Sequence, residues 1–432
     1  MKNINELLLE LESLPKGYIS KKIIHEKEYF YLQYKENGKI VSKYIRANDL
    51  PSLEEQLNRR KEIEEEIQVL LKKEKNLNSL SPTTLELSGY IMSEDKVVAE
   101  FIKNQLIYLD TALAPLIVLR THDLASFLSS RILDTSRTNA RILKRILNVH
   151  SEEEYIIALK NHATSVTDNY WFKSKNSRLK YKDVSLESDI YNETSLKGEL
   201  LYVPKVPKLS PQYSLLGSYE KCWRLIDDEW WMYKSGTKEE RLSEYIASLL
   251  SEKLGIPTAH YELEDTYIKT KCFVGDYNLE PLAAFLGGND DYEYVFNKLF
   301  EYDKKLAKEY LMLIWFDALV NNVDRHNENI AFLRDKNTGN IISLAPNYDL
   351  NVSLFARNTV LSKEKDGFIT QYLSFVKSNE TVKELYKEIN VPLLNENDLD
   401  DILSKVDLSE YDFDLRGYLL FRYYNLKSVF NI

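Results

Sequence analysis

The stretch that most constrains this chain runs from 311 to 355, where an apolar helical pattern passes into a polar loop and then into two short apolar runs. Leu306, Tyr310, Leu313 and Ile314 recur at helical spacing, which predicts a helix, and Asn321 and Asn322 are residue types that favour turns and helix ends. Beyond the loop, 330–333 and 341–344 flank Asp335, Lys336, Asn337, Thr338, Gly339 and Asn340. Gly339 and its polar neighbours supply a turn, so the two runs read as a β-hairpin. Polar residues collect at both ends of that hairpin: Asp324, His326 and Asn329 at one, and Asp349, in Ala-Pro-Asn-Tyr-Asp, at the other.

That residue set suits phosphoryl transfer, which needs a carboxylate to orient and deprotonate an attacking hydroxyl and oxygen ligands for magnesium on the nucleotide phosphates. Magnesium keeps several waters, so two protein ligands plus phosphate oxygens are enough. The pattern D-x-H-x-x-N over 324–329, followed by Tyr348-Asp349, resembles the HipA-like serine/threonine kinases. The Asp-Arg-His-Asn-x-Asn form is also similar to the lipid-kinase branch of the same superfamily. The resemblance implies that Asp324 is the catalytic base, that Asn329 and Asp349 are metal ligands and that His326 braces the loop. A polar loop of these residue types alone serves only as a turn; the helix before it and the hairpin and Tyr-Asp after it favour the kinase reading.

The nucleotide end of such a site is expected upstream. Residues 214–221, Ser-Leu-Leu-Gly-Ser-Tyr-Glu-Lys, are polar with one glycine, and 222–226 and 230–233 read as strands around Asp227, Asp228 and Glu229. A strand-turn-strand with a glycine at its mouth can lay backbone N–H groups over phosphates. Lys234 ends the second strand, and Glu244 sits in a helix expected over 239–254 and closed by Gly255-Ile256-Pro257. A lysine ion-paired to a helix glutamate while touching phosphates is the arrangement kinases use, and the spacing permits it. S-x-x-G-x-x-E-K also resembles the HipA-like phosphate loop, which sets Gly217 and Lys221 beside Lys234 and Glu244 as ATP-binding residues. In that family a serine of this loop is autophosphorylated, ejecting the loop and switching the enzyme off. By motif Ser214 is the match, with Ser218 second. The loop has fewer glycines than a protein-kinase loop, and Tyr348-Asp349-Leu350 replaces the DFG form, as the family leads one to expect. Residues 267–274 are expected to form the strand leading to adenine, with Phe273 as its contact.

A chain of 432 residues, 44% of them apolar, has room for about three domains with sizeable cores. Its net charge of -10 argues against wholesale coating of nucleic acid. Cys222 and Cys272 show neither metal-ligand spacing nor a disulfide framework, which fits a reducing compartment. Acidic residues interrupt the apolar run at the N-terminus, where a signal peptide needs none. The nearest candidate for a membrane span, 310–320, contains Asp317. A cytoplasmic protein without membrane contact is expected.

Residues 18–46 alternate as strands do, and Asn37-Gly38 is a strong hairpin signal, so a three-stranded sheet is expected. Its lysines interleave with Tyr29, Tyr31, Tyr34 and Tyr44. Such a surface suits phosphate contact and base stacking, although a soluble sheet with lysines guarding its edge is the preferred reading. A charged helix over 52–75 and a linker over 76–82 follow. Short strands are expected over 85–109 and one or two helices over 123–147. Arg131, Arg137, Arg141, Lys144 and Arg145 are spaced to put several on one helical face, read as solvated. Residues 165–173 are similar to a stretch preceding the kinase core in some HipA-like proteins. After Pro281 the chain is mostly helical, with a polar, substrate-facing loop over 357–367, and packing accounts for the aromatic run around Arg422.

The expected architecture is α+β: a bilobal protein-kinase-like (HipA-like) core over 206–432, with lobes of about 206–280 and 281–432. A small β-sheet plus long helix over 1–78 and a mixed α/β accessory region over 79–205 precede it. The expected reaction carries the γ-phosphoryl of ATP, with Mg²⁺, to a serine or threonine of a protein substrate. The resemblance further implies a toxin paired with a DNA-binding antitoxin. Two rivals stand beside it. One is a catalytically silent kinase fold acting as a regulatory or DNA-associated binding module. The other is a metal-dependent phosphohydrolase using Asp324, His326 and Asp349, disfavoured because the chain has six histidines and one near the site.

Overall fold

The computed structural model describes residues 14–24, 27–36, 39–46, 48–63, 87–149, 154–199, 208–358, 361, 367–390 and 392–431. The chain forms two units, 1–85 and 86–432. In the first, β1 (Tyr18–Ile24), β2 (Lys27–Glu36) and β3 (Lys39–Ile45) make an antiparallel sheet in that order. Tyr18 lies opposite Gln33 and Tyr31 opposite Tyr44, so the period of two puts Tyr18, Tyr29, Tyr31 and Tyr44 on one face. A helix over 50–63 follows, and Ile45 and Ile63 are buried. The Asn37-Gly38 turn, the helical run beyond 63 and the expected linker lie outside the described residues.

The second unit opens with a four-stranded antiparallel sheet. Its strands are β4 (Gly89–Ser93), β5 (Lys96–Ile102), β6 (Gln105–Leu109) and β7 (Tyr170–Ser174), in the order β6-β5-β4-β7. The expected aromatic stretch thus ends in an edge strand, with Trp171 buried and its Nε1–H donated to Glu94 O at 2.7 Å. Helices Leu124–Ser129 and Ala140–Ile146 cover the region read as one or two helices. The solvated basic face expected there is corrected by the structure, because Arg131 and Arg137 fall between the helices and are buried. Arg131 pairs with Asp168 at 2.8 Å, and Arg137 donates to Lys221 O at 2.7 Å and Ser195 O at 3.0 Å. Buried guanidinium groups must be paired, so these two tie the accessory region together and Arg137 fastens it to the start of the next sheet.

That sheet comprises β8 (Lys221–Ile226), β9 (Glu229–Lys234), β10 (Tyr261–Leu263) and β11 (Ile268–Lys271), in the order β10-β11-β9-β8. The helix Lys238–Lys253 follows β9. Thr237 starts it with a capping box: its Oγ1 accepts from Glu240 N, and Glu240 Oε2 accepts from Thr237 N at 2.9 Å. Leu242, Ile246, Ala247 and Leu250 repeat at helical spacing and enter the main apolar core.

The larger lobe is built around the helix Lys304–Val320, which is buried on every side from Leu311 to Val320 apart from the half-buried Met312. Asp303 caps its start, and Asn321 ends it in the left-handed region at φ 55°, a conformation asparagine tolerates. Helices Tyr292–Tyr302, Gly367–Ser378, Glu380–Glu388 and Leu415–Lys427 lie around it. Arg422, read from sequence as packing alone, is wholly buried and donates to Ala318 O at 2.7 Å and Leu319 O at 3.1 Å. A guanidinium at a helix C-terminus satisfies carbonyls that have no intrahelical partner.

β12 (Tyr277–Pro281), β13 (Ala331–Asp335) and β14 (Ile341–Leu344) form a third sheet, and β13–β14 is the hairpin expected after the polar loop. Its turn requires Gly339: φ is +74°, and a Cβ there would stand 1.6 Å from Ala112 O. Arg334 on β13 donates to Ala112 O, Ala114 O and Glu280 Oε1 at 2.5, 2.6 and 3.0 Å, locking the accessory region to the hairpin.

Candidate active site

The ladder between β8 and β9 places Lys221 opposite Lys234. Like charges facing across a ladder repel, and carboxylates offset that repulsion. Lys234 Nζ donates to Glu244 Oε1 at 3.2 Å and Oε2 at 3.3 Å, and also to Asp349 Oδ1. Lys234 is 9% exposed and Glu244 fully buried. Burial disfavours the Lys234 charge, but Asp349 and Glu244 outweigh it and hold the ammonium above its ordinary pKa. Burial likewise pushes the Asp349 carboxyl up, and Lys234 and Lys221 overcome it, holding the group at about 2. Glu244 stays above its ordinary value because burial exceeds the pull of Lys234. Lys221 is lowered to about 8, burial and the neighbouring Lys234 and Arg137 prevailing over Asp349.

The loop before β8 passes close to this cluster. Gly217 has φ +85°, and a Cβ there would lie 2.7 Å from Lys221 Nζ. Tyr219 OH donates to Glu240 Oε1 at 2.6 Å and accepts from Arg357 Nη2 at 3.3 Å, while its ring sits 5.8 Å from Lys234 Nζ. Ser214 is half-buried at the end of a 3₁₀ turn, Pro211–Ser214, its Oγ donating to Pro211 O at 3.1 Å. Ser218 is exposed. Phe273 is half-buried beside Tyr348, ring centroids 6.0 Å apart, and packs with Ala259, Tyr261 and Ile268.

Asp349 itself is left-handed, φ 59°. A non-glycine residue there costs roughly 1–2 kcal/mol, and the surroundings enforce it: Asp349 N donates to Tyr261 OH at 3.1 Å and Leu350 N to Glu244 Oε1 at 3.2 Å. In the loop after the central helix, Asn329 Nδ2 donates to Asp324 O at 3.1 Å and stands 3.2 Å from His326 Nε2. These contacts leave Asn329 Oδ1 and Asp349 Oδ2 without a hydrogen bond among the described residues, two hard oxygens of the kind magnesium takes. The half-buried Asp324 carboxylate likewise makes no hydrogen bond with a described residue. Among the described residues no group of three or more His, Cys, Asp or Glu side chains is arranged to hold a metal.

Two residues to which sequence patterns assigned no role in the site join these loops. Asp317, 1% exposed, pairs with Arg325 Nε at 2.8 Å and Nη2 at 3.0 Å. Arg325 Nη1 then donates to Asn329 O at 2.7 Å and Tyr348 O at 2.9 Å, and Nη2 to Asn347 Oδ1 at 2.6 Å. One nitrogen therefore brings the Asn329 and Asp349 segments side by side. The available signal was an acid at position 317 inside the otherwise apolar run 310–320. The structure gathers Lys221, Lys234, Glu244 and Asp349 into one charge cluster, sets Gly217 against Lys221, and ties Asp324, His326 and Asn329 together in one loop.

A four-stranded lobe with a Lys–Glu pair, set against a helical lobe whose loops carry Asp324, Asn329 and Asp349, makes this an α+β, bilobal, kinase-like core with two N-terminal accessory modules. Residues 207–408 match the HipA-like C-terminal domain, so the kinase-like core is HipA-like over that span. Residues 2–55 match a domain of unknown function, DUF6788. No curated protein matches the chain. Similar solved structures include HipA of Shewanella oneidensis MR-1, solved with HipB and operator DNA, and the proinflammatory kinase CtkA of Helicobacter pylori. The first is 15% identical with a TM-score of 0.48, covering 79% of this chain and 96% of that one. The second is 17% identical with a TM-score of 0.34, covering 48% and 89%.

Proposed function

We propose that this chain is a serine/threonine protein kinase that uses ATP and Mg²⁺. The observation carrying the reading is Lys234 held between Glu244 and Asp349, with the Asp324 carboxylate left available. Lys234 and Lys221 bind the phosphates, Glu244 orients Lys234, and the loop around Gly217 covers them. Asn329 and Asp349 would hold Mg²⁺, which supplies charge neutralisation for the triphosphate. Asp324 accepts the proton of the substrate hydroxyl as its oxygen bonds to the γ-phosphorus. The bond from that phosphorus to the β,γ-bridging oxygen breaks, and ADP leaves. General-base assistance supplies roughly 10²- to 10⁴-fold, and positioning with charge stabilisation supplies the rest. Ser214, with Ser218 second, is the proposed site of inactivating autophosphorylation. A toxin's role beside a DNA-binding antitoxin belongs to the same reading and rests on the resemblance of the core to HipA-like proteins. Among the described residues no helix is long and apolar enough to cross a membrane, and we place the reaction in the cytoplasm.

The test is transfer of label from [γ-³²P]ATP to proteins of a cell lysate, comparing wild type with Asp324→Asn. Labelling that disappears in the variant supports the reading. Labelling retained by the variant removes Asp324 from its role, and no transfer by either protein returns the chain to the catalytically silent class.

A further inference from the structure

Beside the candidate base lies a groove of about 880 Å³ that the proposed reaction has not used. The helices Tyr292–Tyr302 and Gly367–Ser378 contribute walls, and Asn322, Val323 and Arg325 border it from the loop that carries Asp324. Its apolar surface comes from Val323, 60% exposed, and from Phe368 and Phe375, the latter tilted against Tyr292 with ring centroids 5.7 Å apart. Asp290, Asp291 and Glu293 stand exposed on its rim. Asp290 Oδ1 accepts from Asn327 N at 2.7 Å and Asp291 Oδ1 caps a helix through Tyr294 N at 3.0 Å, each leaving its second oxygen without a hydrogen bond among the described residues. Among the described lining residues the one cation is Arg325, already neutralised by Asp317.

A second observation points to a ligand independently of those acids. Asn322 lines the groove and is 1% exposed, and its Nδ2 is spent on Asp317 Oδ1 at 2.8 Å. Its Oδ1 has no hydrogen-bond partner. A buried carbonyl without a donor costs free energy that an incoming N–H would recover.

We propose that this groove binds the segment flanking the phosphoacceptor of a protein substrate, and that the segment carries lysine or arginine together with at least one apolar side chain. The inference rests on the kinase reading and adds its substrate class. Asp324 is not in the lining although Val323 and Arg325 are, so the groove reads residues beside the acceptor and not the acceptor itself. Three exposed carboxylates attract a cationic chain and reject an acidic one, the apolar surface takes an aliphatic side chain, and a peptide or guanidinium N–H satisfies Asn322.

The test uses the full chain carrying Asp324→Asn and three fluorescein-labelled peptides with a single serine. One has arginine and leucine flanks, one replaces the arginines by glutamine and one by glutamate. Fluorescence anisotropy should show the arginine peptide binding at least tenfold more tightly than the glutamine peptide, with an advantage that shrinks as salt rises. Asp291→Asn with Glu293→Gln keeps the helix cap and should weaken the arginine peptide roughly 3- to 10-fold, since exposed charge pairs contribute a few-fold each. Glu293→Lys should raise affinity for the glutamate peptide, a gain that a misfolded variant could not give. Equal binding of all three peptides, or indifference to the rim substitutions, overturns the proposal. Selective binding without phosphorylation by the wild-type chain would instead sink the kinase reading and leave the acidic, cation-binding groove standing. Phosphorylation indifferent to the flanks would do the reverse.

Discussion

Asp317 grips Arg325 through both carboxylate oxygens, at 2.8 and 3.0 Å, with both side chains at most 3% exposed. The guanidinium so fixed spends Nη1 on the carbonyls of Asn329 and Tyr348. The distance between the two proposed metal ligands is therefore set by a pair that touches neither metal nor nucleotide. Removing one partner of a buried pair leaves an uncompensated charge and costs about 3–5 kcal/mol, whereas an apolar replacement of both is often neutral. Asp317→Ala should lower the melting temperature by several degrees. Asp317→Leu with Arg325→Met should restore most of that loss yet leave Mg²⁺-dependent nucleotide binding impaired, measured by calorimetry. Normal nucleotide binding in the double variant would reduce the pair to a structural role.

Asp324 has its carboxylate free of hydrogen bonds to described residues, while its main-chain oxygen anchors Asn329. Asp324→Asn preserves that carbonyl and the side-chain shape, so the loop should hold and nucleotide affinity should stay within a few-fold. Phosphoryl transfer should fall by roughly 10²- to 10⁴-fold, the range for loss of a general base. A quench-flow measurement of a single turnover would separate the two effects, and a variant that binds nucleotide poorly would contradict this division of labour.

Lys221 carries the pH dependence. Its pKa is lowered to about 8 in the folded chain, against an ordinary value near 10.4, so it loses its proton as pH rises through 8. A bound triphosphate favours the protonated form, and nucleotide binding above that pH takes up a proton. Affinity for ATP should accordingly be flat below about pH 7.5 and fall as pH climbs to 9.5. The sign for stability is opposite. Between pH 8 and 10.4 the unfolded chain binds more protons at this position than the folded one, so this group makes folding more favourable as pH rises. Lys221→Arg, which stays charged throughout, should flatten the affinity profile, and an unchanged slope would exclude Lys221 as its source.

What the sequence made legible were the features governed by local rules. The stop at Asn321, the β13–β14 hairpin around Gly339, the strand ending at Lys234 and the helix holding Glu244 all follow from periodicity and turn chemistry. Arg137 and Arg131 show where such rules end. Helical spacing suggested a solvated basic face, but a break between two helices turned both inward to carbonyls and carboxylates distant in sequence. Arg325 was invisible for a related reason, since its partners come from three separate segments. Tyr219 and Arg357 meet across 138 positions through one hydroxyl, a contact no pattern of spacing announces.

The loop serines separate two mechanisms of self-modification. Ser214 is half-buried, its hydroxyl donating to Pro211 O, between the buried Tyr213 and Leu215. Phosphorylation there would remove that donor and bring about -1.5 to -2 charges into an apolar turn. The turn must then open, and the backbone around Gly217 loses its position against Lys221. Ser218 is exposed, and a phosphate there would remain in solvent with little effect on the turn. After incubation with MgATP, mass spectrometry should place a phosphate on Ser214, in a fraction that rises with time and is absent from Asp324→Asn. Ser214→Ala should remain active through prolonged incubation, and Ser214→Glu should bind ATP at least tenfold more weakly than Ser214→Ala. Phosphate found on Ser218 alone, with Ser214→Glu binding ATP normally, would move the switch out of the 3₁₀ turn and leave the burial of Ser214 as packing.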